Sequence, residues 1–164
     1  MQEQIRVLLV DDEKSLLLPL SSRLRASSFS VETAESGPEA LGKVQAAQGA
    51  FDVAVIDQVM PPPDGIETMR QLRYEYPAIE TILLTGWGDW QAGERALDLG
   101  AYRYMSKPFD PDELIINIRA AARFGHERQR RIVQQILVEA GQKMGMASTV
   151  EELYENLYQA AQKL

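Results

Sequence analysis

The sequence predicts a doubly wound α/β domain with a five-stranded parallel sheet, followed by a helical extension. Two observations predict this fold. Five short apolar runs alternate with five helical patterns over residues 1–123, and parallel strands need such helices between them. The central run, Phe51–Asp57, is followed by three prolines, Pro61 to Pro63. These have no N–H to donate, so the chain must leave the sheet just after Asp57.

The five strands are predicted from short runs rich in β-branched and aliphatic side chains. The first and third runs are almost uninterrupted, which is typical of strands covered on both faces of a sheet. The predicted strands are Ile5–Val10, Phe29–Ala34, Phe51–Asp57, Thr81–Leu84 and Tyr102–Met105.

The five helices are predicted from apolar side chains that recur three or four positions apart. The turn Ser36–Pro38 precedes the second helix, because proline suits the first position of a helix. Glycine or proline follows most of these segments and ends them. The predicted helices are Lys14–Arg25, Glu39–Ala47, Ile66–Tyr74, Trp90–Leu99 and Asp112–Arg123.

The composition excludes several classes of function. The chain has no cysteine and a single histidine, His126, which excludes disulfides and thiolate chemistry and argues against histidine-based metal sites. The net charge is −7 and its acidic excess lies in residues 1–123, so direct nucleic-acid binding is not expected. No apolar run has the length of a membrane span or the form of a signal peptide. We therefore expect a cytoplasmic protein that does not contact the membrane.

Four predicted strands end in polar side chains that suit phosphoryl chemistry. These side chains are Asp11 and Asp12 after the first strand, Asp57 at the third, Thr85 at the fourth and Lys107 after the fifth. The carboxyl ends of parallel strands share one edge of a sheet, where open α/β folds bind ligands. Clustered carboxylates repel one another and so predict a cation, for which oxygen ligands favour Mg²⁺. Asp57 is a candidate nucleophile, since carboxylates form aspartyl-phosphates.

Five sequence segments together carry a resemblance to a known family. They are LLVDDE at 8–13, AESGPEAL at 34–41, DVAVIDQVMPPPDG at 52–65, LLTGWGD at 83–89 and GAYRYMSKPF at 100–109. In this order and at this spacing, they resemble the receiver domain of two-component response regulators. The resemblance implies a flavodoxin-like sandwich over residues 1–123. It also implies a role in signal transduction that depends on phosphorylation.

The resemblance implies a role for each acidic residue of the predicted site. Asp57 is then the phosphoacceptor, which receives a phosphoryl group from a cognate histidine kinase or phosphotransfer protein. Asp11, Asp12 and Asp57 are then ligands of Mg²⁺, and the main-chain carbonyl of Val59 is a further ligand. Such a protein is an enzyme only in that it assists its own phosphorylation and dephosphorylation.

Three further residues take roles by the same resemblance. Thr85 and Lys107 would bind the phosphoryl group, and the Lys107–Pro108 peptide bond would be cis. Thr85 would also act in a conformational switch with Tyr104, the switch aromatic, which turns inward when the threonine moves. The alternative for Tyr104 is an ordinary half-buried tyrosine on an edge strand.

Two positions near the predicted phosphoryl group carry side chains that are poorly suited to orienting a water by hydrogen bonding. In receiver domains, the residues two positions after the phosphoacceptor and two after the threonine flank the path of the hydrolytic water. Here they are Val59 and Trp87, neither of which orients a water well. The resemblance therefore implies slow loss of the phosphoryl group. The alternative for Trp87 is a partly exposed loop aromatic without this role.

Residues 124–164 lie outside the predicted receiver domain. Apolar side chains recur at helical spacing over 132–144 and again over 150–164, with a capping-box pattern at 148–151. These stripes predict helices that form a homodimer or begin an effector domain that continues beyond Leu164. A helical hairpin folded back on its own domain is the alternative. At Phe124–Gly125 the preceding helix either breaks or continues.

Two other functions remain open from the sequence alone. One is an interaction or dimerisation module that no longer depends on phosphorylation, a pseudo-receiver. The other is a phosphohydrolase that acts through an aspartyl-phosphate. It is disfavoured because Val59 stands two residues after the nucleophile, where a second, acid–base aspartate is expected.

Overall fold

The computed structural model of the protein describes residues 4–143. Five parallel strands form one sheet in the order β2-β1-β3-β4-β5. This arrangement, with helices packed against the sheet, confirms the predicted doubly wound fold. The strands are β1 Arg6–Val10, β2 Ser30–Ala34, β3 Val53–Asp57, β4 Glu80–Thr85 and β5 Arg103–Ser106.

Five helices connect and follow the strands. Three of them begin with a side-chain cap, in which Ser36, Asp64 and Asp89 accept hydrogen bonds from backbone N–H groups of the first turn. The helices are α1 Lys14–Ala26, α2 Gly37–Ala46, α3 Gly65–Glu75, α4 Trp90–Asp98 and α5 Pro111–Lys143.

The core consists of two apolar clusters, one on each face of the sheet. Alternate residues of β1 divide between them, since successive side chains of a strand point to opposite faces. Leu8 and Val10 pack with residues of α2 and α3, whereas Val7 and Leu9 pack with residues of α1 and α5. Every residue of β3 and β4 is buried, which is why these strands lack polar alternation.

The register of the strands aligns their carboxyl ends at one edge. Val10 pairs with Ile56, Asp57 with Leu84, and Thr85 with Ser106. The polar residues that end or follow the strands therefore lie along the same edge of the sheet. This edge is where the sequence places the candidate site.

Helix α5 continues without a break through Phe124 and Gly125, which settles the alternative left open by the sequence. The chain divides into two compact units between Gly125 and His126. In the second unit, α5 exposes apolar side chains, namely Ile132, Val133, Ile136 and Val138. The predicted stripe at 150–164 lies outside the described residues, so its role stays a prediction. Over residues 4–143, no helix combines the length and the apolar character needed to cross a membrane.

Candidate functional site

The turn after β1 presents two carboxylates with different environments. Asp11 is fully buried and its N–H donates to the Ala34 carbonyl at 3.1 Å, which extends the pairing of β1 with β2. Its Oδ1 accepts a 2.8 Å hydrogen bond from the N–H of Glu13, the residue that precedes α1. Asp12 is exposed beside it. Asp11 is thus fixed by backbone contacts, whereas Asp12 is open to solvent.

Asp57 is the last residue of β3 and is only 5% exposed. The chain leaves the sheet through residues 58–64, a segment that contains the three prolines and is called the proline loop here. It comes back against the end of β3 at Gly65, whose N–H donates to the Gln58 carbonyl at 3.0 Å. A Cβ at residue 65 would lie 2.0 Å from the Asp57 carbonyl oxygen, so only glycine allows this close return. The loop therefore closes tightly against the backbone of Asp57.

Lys107 joins the two buried carboxylates. Its Nζ lies 2.7 Å from Asp11 Oδ2 and 2.7 Å from Asp57 Oδ1. The Lys107 N–H donates to the Thr85 carbonyl at 2.7 Å, and the Lys107–Pro108 bond is cis, as the family resemblance implied. One ammonium thus contacts two carboxylates, one that follows β1 and one that ends β3, and both strands are separated from β5 in the sheet.

Burial and the contact between Asp57 and Lys107 have opposite effects on the pKa values of these two side chains. Burial raises the pKa of Asp57, and the nearby carboxylates of Asp11 and Asp12 add to the rise, although the ammonium of Lys107 opposes it. Burial by itself lowers the pKa of Lys107, but hydrogen bonds and charge from Asp11 and Asp57 outweigh it and raise that pKa. The site therefore holds more negative charge than one lysine compensates.

The three aspartates form a group that fits a divalent cation. Asp11, Asp12 and Asp57 each offer a carboxylate oxygen, and these oxygens all lie within 4.8 Å of one another. Hard oxygen donors of this kind suit Mg²⁺, which binds one or two carboxylates and keeps several waters. The donor set and the uncompensated charge both fit such an ion. Val59, the further ligand implied by the resemblance, follows in the proline loop with its side chain exposed.

Thr85 ends β4, which pairs with β3, and Tyr104 lies on β5, the edge strand next to β4. Thr85 is fully buried, and its hydroxyl donates to the Met105 carbonyl of β5 at 3.4 Å, a long hydrogen bond. Tyr104 is partly buried and packs on the cluster that includes Ala92 and Ala96 of α4. The hydroxyl of Thr85 thus bonds to the backbone of the residue that follows Tyr104.

Sequence reasoning missed the contacts around the start of α4. Gln58 Nε2 donates to Asp89 Oδ2 at 2.7 Å, and the Tyr104 ring lies against Gly93. The capping role of Asp89 can be inferred from its place directly before a helix, but its hydrogen bond with Gln58 cannot be inferred from the sequence. Trp87, near the same helix end, is 86% exposed and Val59 is 68% exposed, so both side chains extend into solvent.

Comparisons with known proteins agree on one family. Residues 7–119 match the response regulator receiver domain family. The alkaline phosphatase synthesis transcriptional regulatory protein PhoP of Bacillus subtilis is 36% identical over 118 residues, which are 72% of this chain and 48% of that protein. Response regulator MprA of Mycobacterium leprae is 38% identical over 119 residues, 73% of this chain and 51% of that protein. The chain thus spans about half the length of the curated relatives it matches.

Solved structures give the same result for the fold. A response regulator receiver domain protein from Clostridium thermocellum superposes with a TM-score of 0.71 at 29% identity, covering 78% of this chain and 98% of that one. A structure described as adenylate cyclase from Rhodopirellula baltica has a TM-score of 0.74 at 32% identity, covering 79% of this chain and 95% of that one.

Proposed function

We propose that this chain, which belongs to the response regulator receiver domain family, accepts a phosphoryl group on the carboxylate of Asp57. The observation that carries the proposal is the contact of Lys107 Nζ with Asp57 Oδ1 at 2.7 Å, beside the oxygens of Asp11 and Asp12. A carboxylate beside an ammonium group and two further acids that fit a divalent cation suits attack on phosphorus, which supports the proposal.

In the reaction, one oxygen of Asp57 forms a bond to phosphorus while the bond from phosphorus to the donor breaks. The donor leaves with the electron pair of that bond, so a phosphohistidine donor regains its imidazole. Lys107 stays beside the phosphoryl oxygens and compensates their charge. The carboxylates of Asp11, Asp12 and Asp57 and the Val59 carbonyl would hold Mg²⁺, which would supply further positive charge there. The chain acts on its own Asp57 and on no other substrate.

The phosphodonor in this proposal is a cognate histidine kinase or a phosphotransfer protein. The phosphoryl group changes the position of Thr85, whose long hydrogen bond to the Met105 carbonyl is easily exchanged for one to a phosphoryl oxygen. Tyr104 follows as the switch aromatic, and the change passes to the C-terminal helical segment. The partly buried ring of Tyr104, packed on the same cluster as α4, supports this path.

The output proposed for the segment from residue 124 onward is a homodimer formed through its helices. The exposed apolar side chains of α5 support it, since such surface is usually buried against a partner. Ile132 and Ile136 lie one turn apart on the helix, as in the seam of a coiled coil.

Labelling with acetyl phosphate and Mg²⁺ tests the phosphoacceptor assignment. Intact-mass spectrometry should show one added phosphoryl group on the wild-type chain and none on Asp57→Asn. Asp98→Asn, at an exposed position of α4, is the control and should be labelled like the wild type. Stoichiometric labelling of Asp57→Asn would overturn the assignment. A wild-type chain that gains no phosphoryl group would indicate a module independent of phosphorylation.

A further inference from the structure

The side chain of Gln58 links the loop after Asp57 to the start of helix α4. Gln58 Nε2 donates to Asp89 Oδ2 at 2.7 Å. The other oxygen, Asp89 Oδ1, accepts from the N–H of Ala92 at 3.2 Å and so caps α4. One carboxylate therefore holds both the first turn of the helix and the residue next to the proposed phosphoacceptor. A hydrogen bond to a charged group is stronger than one between neutral groups.

Gln58 is the fixed end of this link. Its N–H donates to the Leu84 carbonyl at 2.8 Å and its carbonyl accepts from Gly65 at 3.0 Å, so β4 and the start of α3 hold its backbone. Its Oε1 is buried and has no hydrogen-bond partner among residues 4–143. The orientation of the amide is therefore set by Asp89.

Asp89, the other end of the link, is preceded by a short and largely exposed loop. It follows Gly86, Trp87 and Gly88, and a Cβ on either glycine would meet no atom of the described residues within 4 Å. Gly88 has a φ of +81°, a conformation that suits glycine. The Asp89 N–H donates to the Gly86 carbonyl at 3.2 Å, which ties Asp89 to the residue after Thr85. This hydrogen bond and the short loop are the route by which a displacement of Thr85 would reach Asp89.

We propose that Gln58 is a positioning residue whose hydrogen bond to Asp89 holds the first turn of α4 in the unphosphorylated arrangement. The bond breaks when a phosphoryl group on Asp57 draws Thr85 toward it, because Gln58 stays fixed while Asp89 moves. This inference rests on the proposed function. The coupling between two sites is reciprocal, so a contact that must break on phosphoryl binding also weakens that binding.

Beryllofluoride with Mg²⁺, which mimics a phosphoryl group on a carboxylate, is the probe for this coupling. Gln58→Leu keeps the size of the side chain and removes its donor, so the full-length variant should bind the probe about fivefold more tightly than the wild type. Isothermal titration calorimetry measures the difference. Gln91→Leu, the same change at an exposed position of the first turn of α4, is the control and should bind like the wild type.

Asp89→Ser separates the link from the helix cap. Serine still caps a helix through its hydroxyl but is too short to accept from Gln58. The variant should match Gln58→Leu in affinity, and the double variant should gain nothing beyond either single one. Additive effects of the two substitutions would show that the residues do not act through their mutual hydrogen bond.

Amide hydrogen exchange tests the restraint that the hydrogen bond from Gln58 to Asp89 imposes on α4, and it needs no ligand. In the unliganded Gln58→Leu variant, the N–H groups of Ala92 and Gly93 should exchange about fivefold faster than in the wild type, while those of β1 and β3 stay unchanged. Unchanged exchange would overturn the restraint on α4. Unchanged or weaker affinity for beryllofluoride would overturn the coupling. A wild-type chain that binds no beryllofluoride would instead overturn the proposed function, together with the coupling that rests on it.

Discussion

The ring of Tyr104 lies so close to Gly93 that a Cβ at residue 93 would come 2.5 Å from Tyr104 Cδ2. Gly93 lies inside α4, where glycine usually costs about 1 kcal/mol relative to alanine. The missing side chain here makes room for the aromatic ring of β5. The Tyr104 ring therefore occupies space that is available only because residue 93 of α4 is glycine.

Gly93→Ala should therefore lower the free energy of unfolding by about 1 kcal/mol, because overpacking against Tyr104 outweighs the better helix propensity of alanine. Urea denaturation measures the change. In a Tyr104→Ala background the ring is gone, and the same substitution should become stabilising. The control is Gly42→Ala in α2, where an added Cβ meets no atom of residues 4–143 within 4 Å and should stabilise by about 0.5–1 kcal/mol. Equal effects at the two glycines would contradict the contact.

Asp57→Asn should raise the free energy of unfolding at pH 7 in the presence of a chelator. Burial raises the pKa of Asp57 in the folded state, so the folded protein holds this proton more tightly than the unfolded chain does. The ionised carboxylate therefore costs stability once the pH rises above its unfolded pKa, and asparagine removes that cost. The advantage of the variant should shrink as the pH falls and vanish below about pH 3.9.

Urea titrations of the wild type and of Asp57→Asn across this pH range measure the difference. Asp98→Asn removes an equal charge from an exposed position and serves as the control. A variant less stable than the wild type at pH 7 would show that the contact with Lys107 outweighs the cost of burial.

Mg²⁺ should stabilise the folded protein through the three aspartates. A ligand that binds only the folded state adds about 2.7 kcal/mol when its concentration is 100-fold above its Kd. Thermal unfolding with increasing Mg²⁺ should show a rising midpoint for the wild type and for Asp98→Asn. Asp12→Asn should need a higher Mg²⁺ concentration for the same rise. An equal response of all three proteins would place the ion elsewhere.

The lifetime of the phosphoryl group should depend on Val59 and Trp87. Both side chains are exposed, and neither offers a hydrogen-bond acceptor that would orient a water for in-line attack. Replacing Val59 with Asn and Trp87 with Glu should speed hydrolysis about tenfold, a change of about 1.4 kcal/mol in the barrier. The decay of phosphorylated protein after removal of the donor measures the rate. Unchanged or slower decay would exclude control by these two side chains.

Self-association should depend on the exposed apolar side chains of α5. Replacing Ile132 and Ile136 together with Gln should reduce dimer formation by the full chain, because the apolar surface that helices bury on pairing is lost. Light scattering over a range of concentrations measures the mass. Ile116→Gln, the same change at an exposed position nearer the start of α5, should leave the dimer intact. A wild-type chain that is monomeric throughout would favour the folded-back hairpin.

Much of the fold and of the candidate site followed from the sequence because both depend on local patterns. The uninterrupted apolar run before Asp57 specifies a buried strand, and the prolines after it specify where that strand stops. Once strands alternate with helices, their carboxyl ends must share one edge. This rule placed Asp11, Asp57 and Lys107 on one edge of the sheet without any knowledge of distances.

The tertiary structure alone decided which side chains meet across that edge. The double contact of Lys107 depends on the strand order, and the link from Gln58 to Asp89 joins residues of two different loops. From the sequence alone, Gly93 is only a poor helix former, whereas in the structure it makes room for the ring of Tyr104. Local sequence determines where a strand or helix begins and ends, because backbone preferences act between neighbours. Contacts between distant residues depend on packing the whole sheet and its helices together, and no short stretch of sequence contains that information.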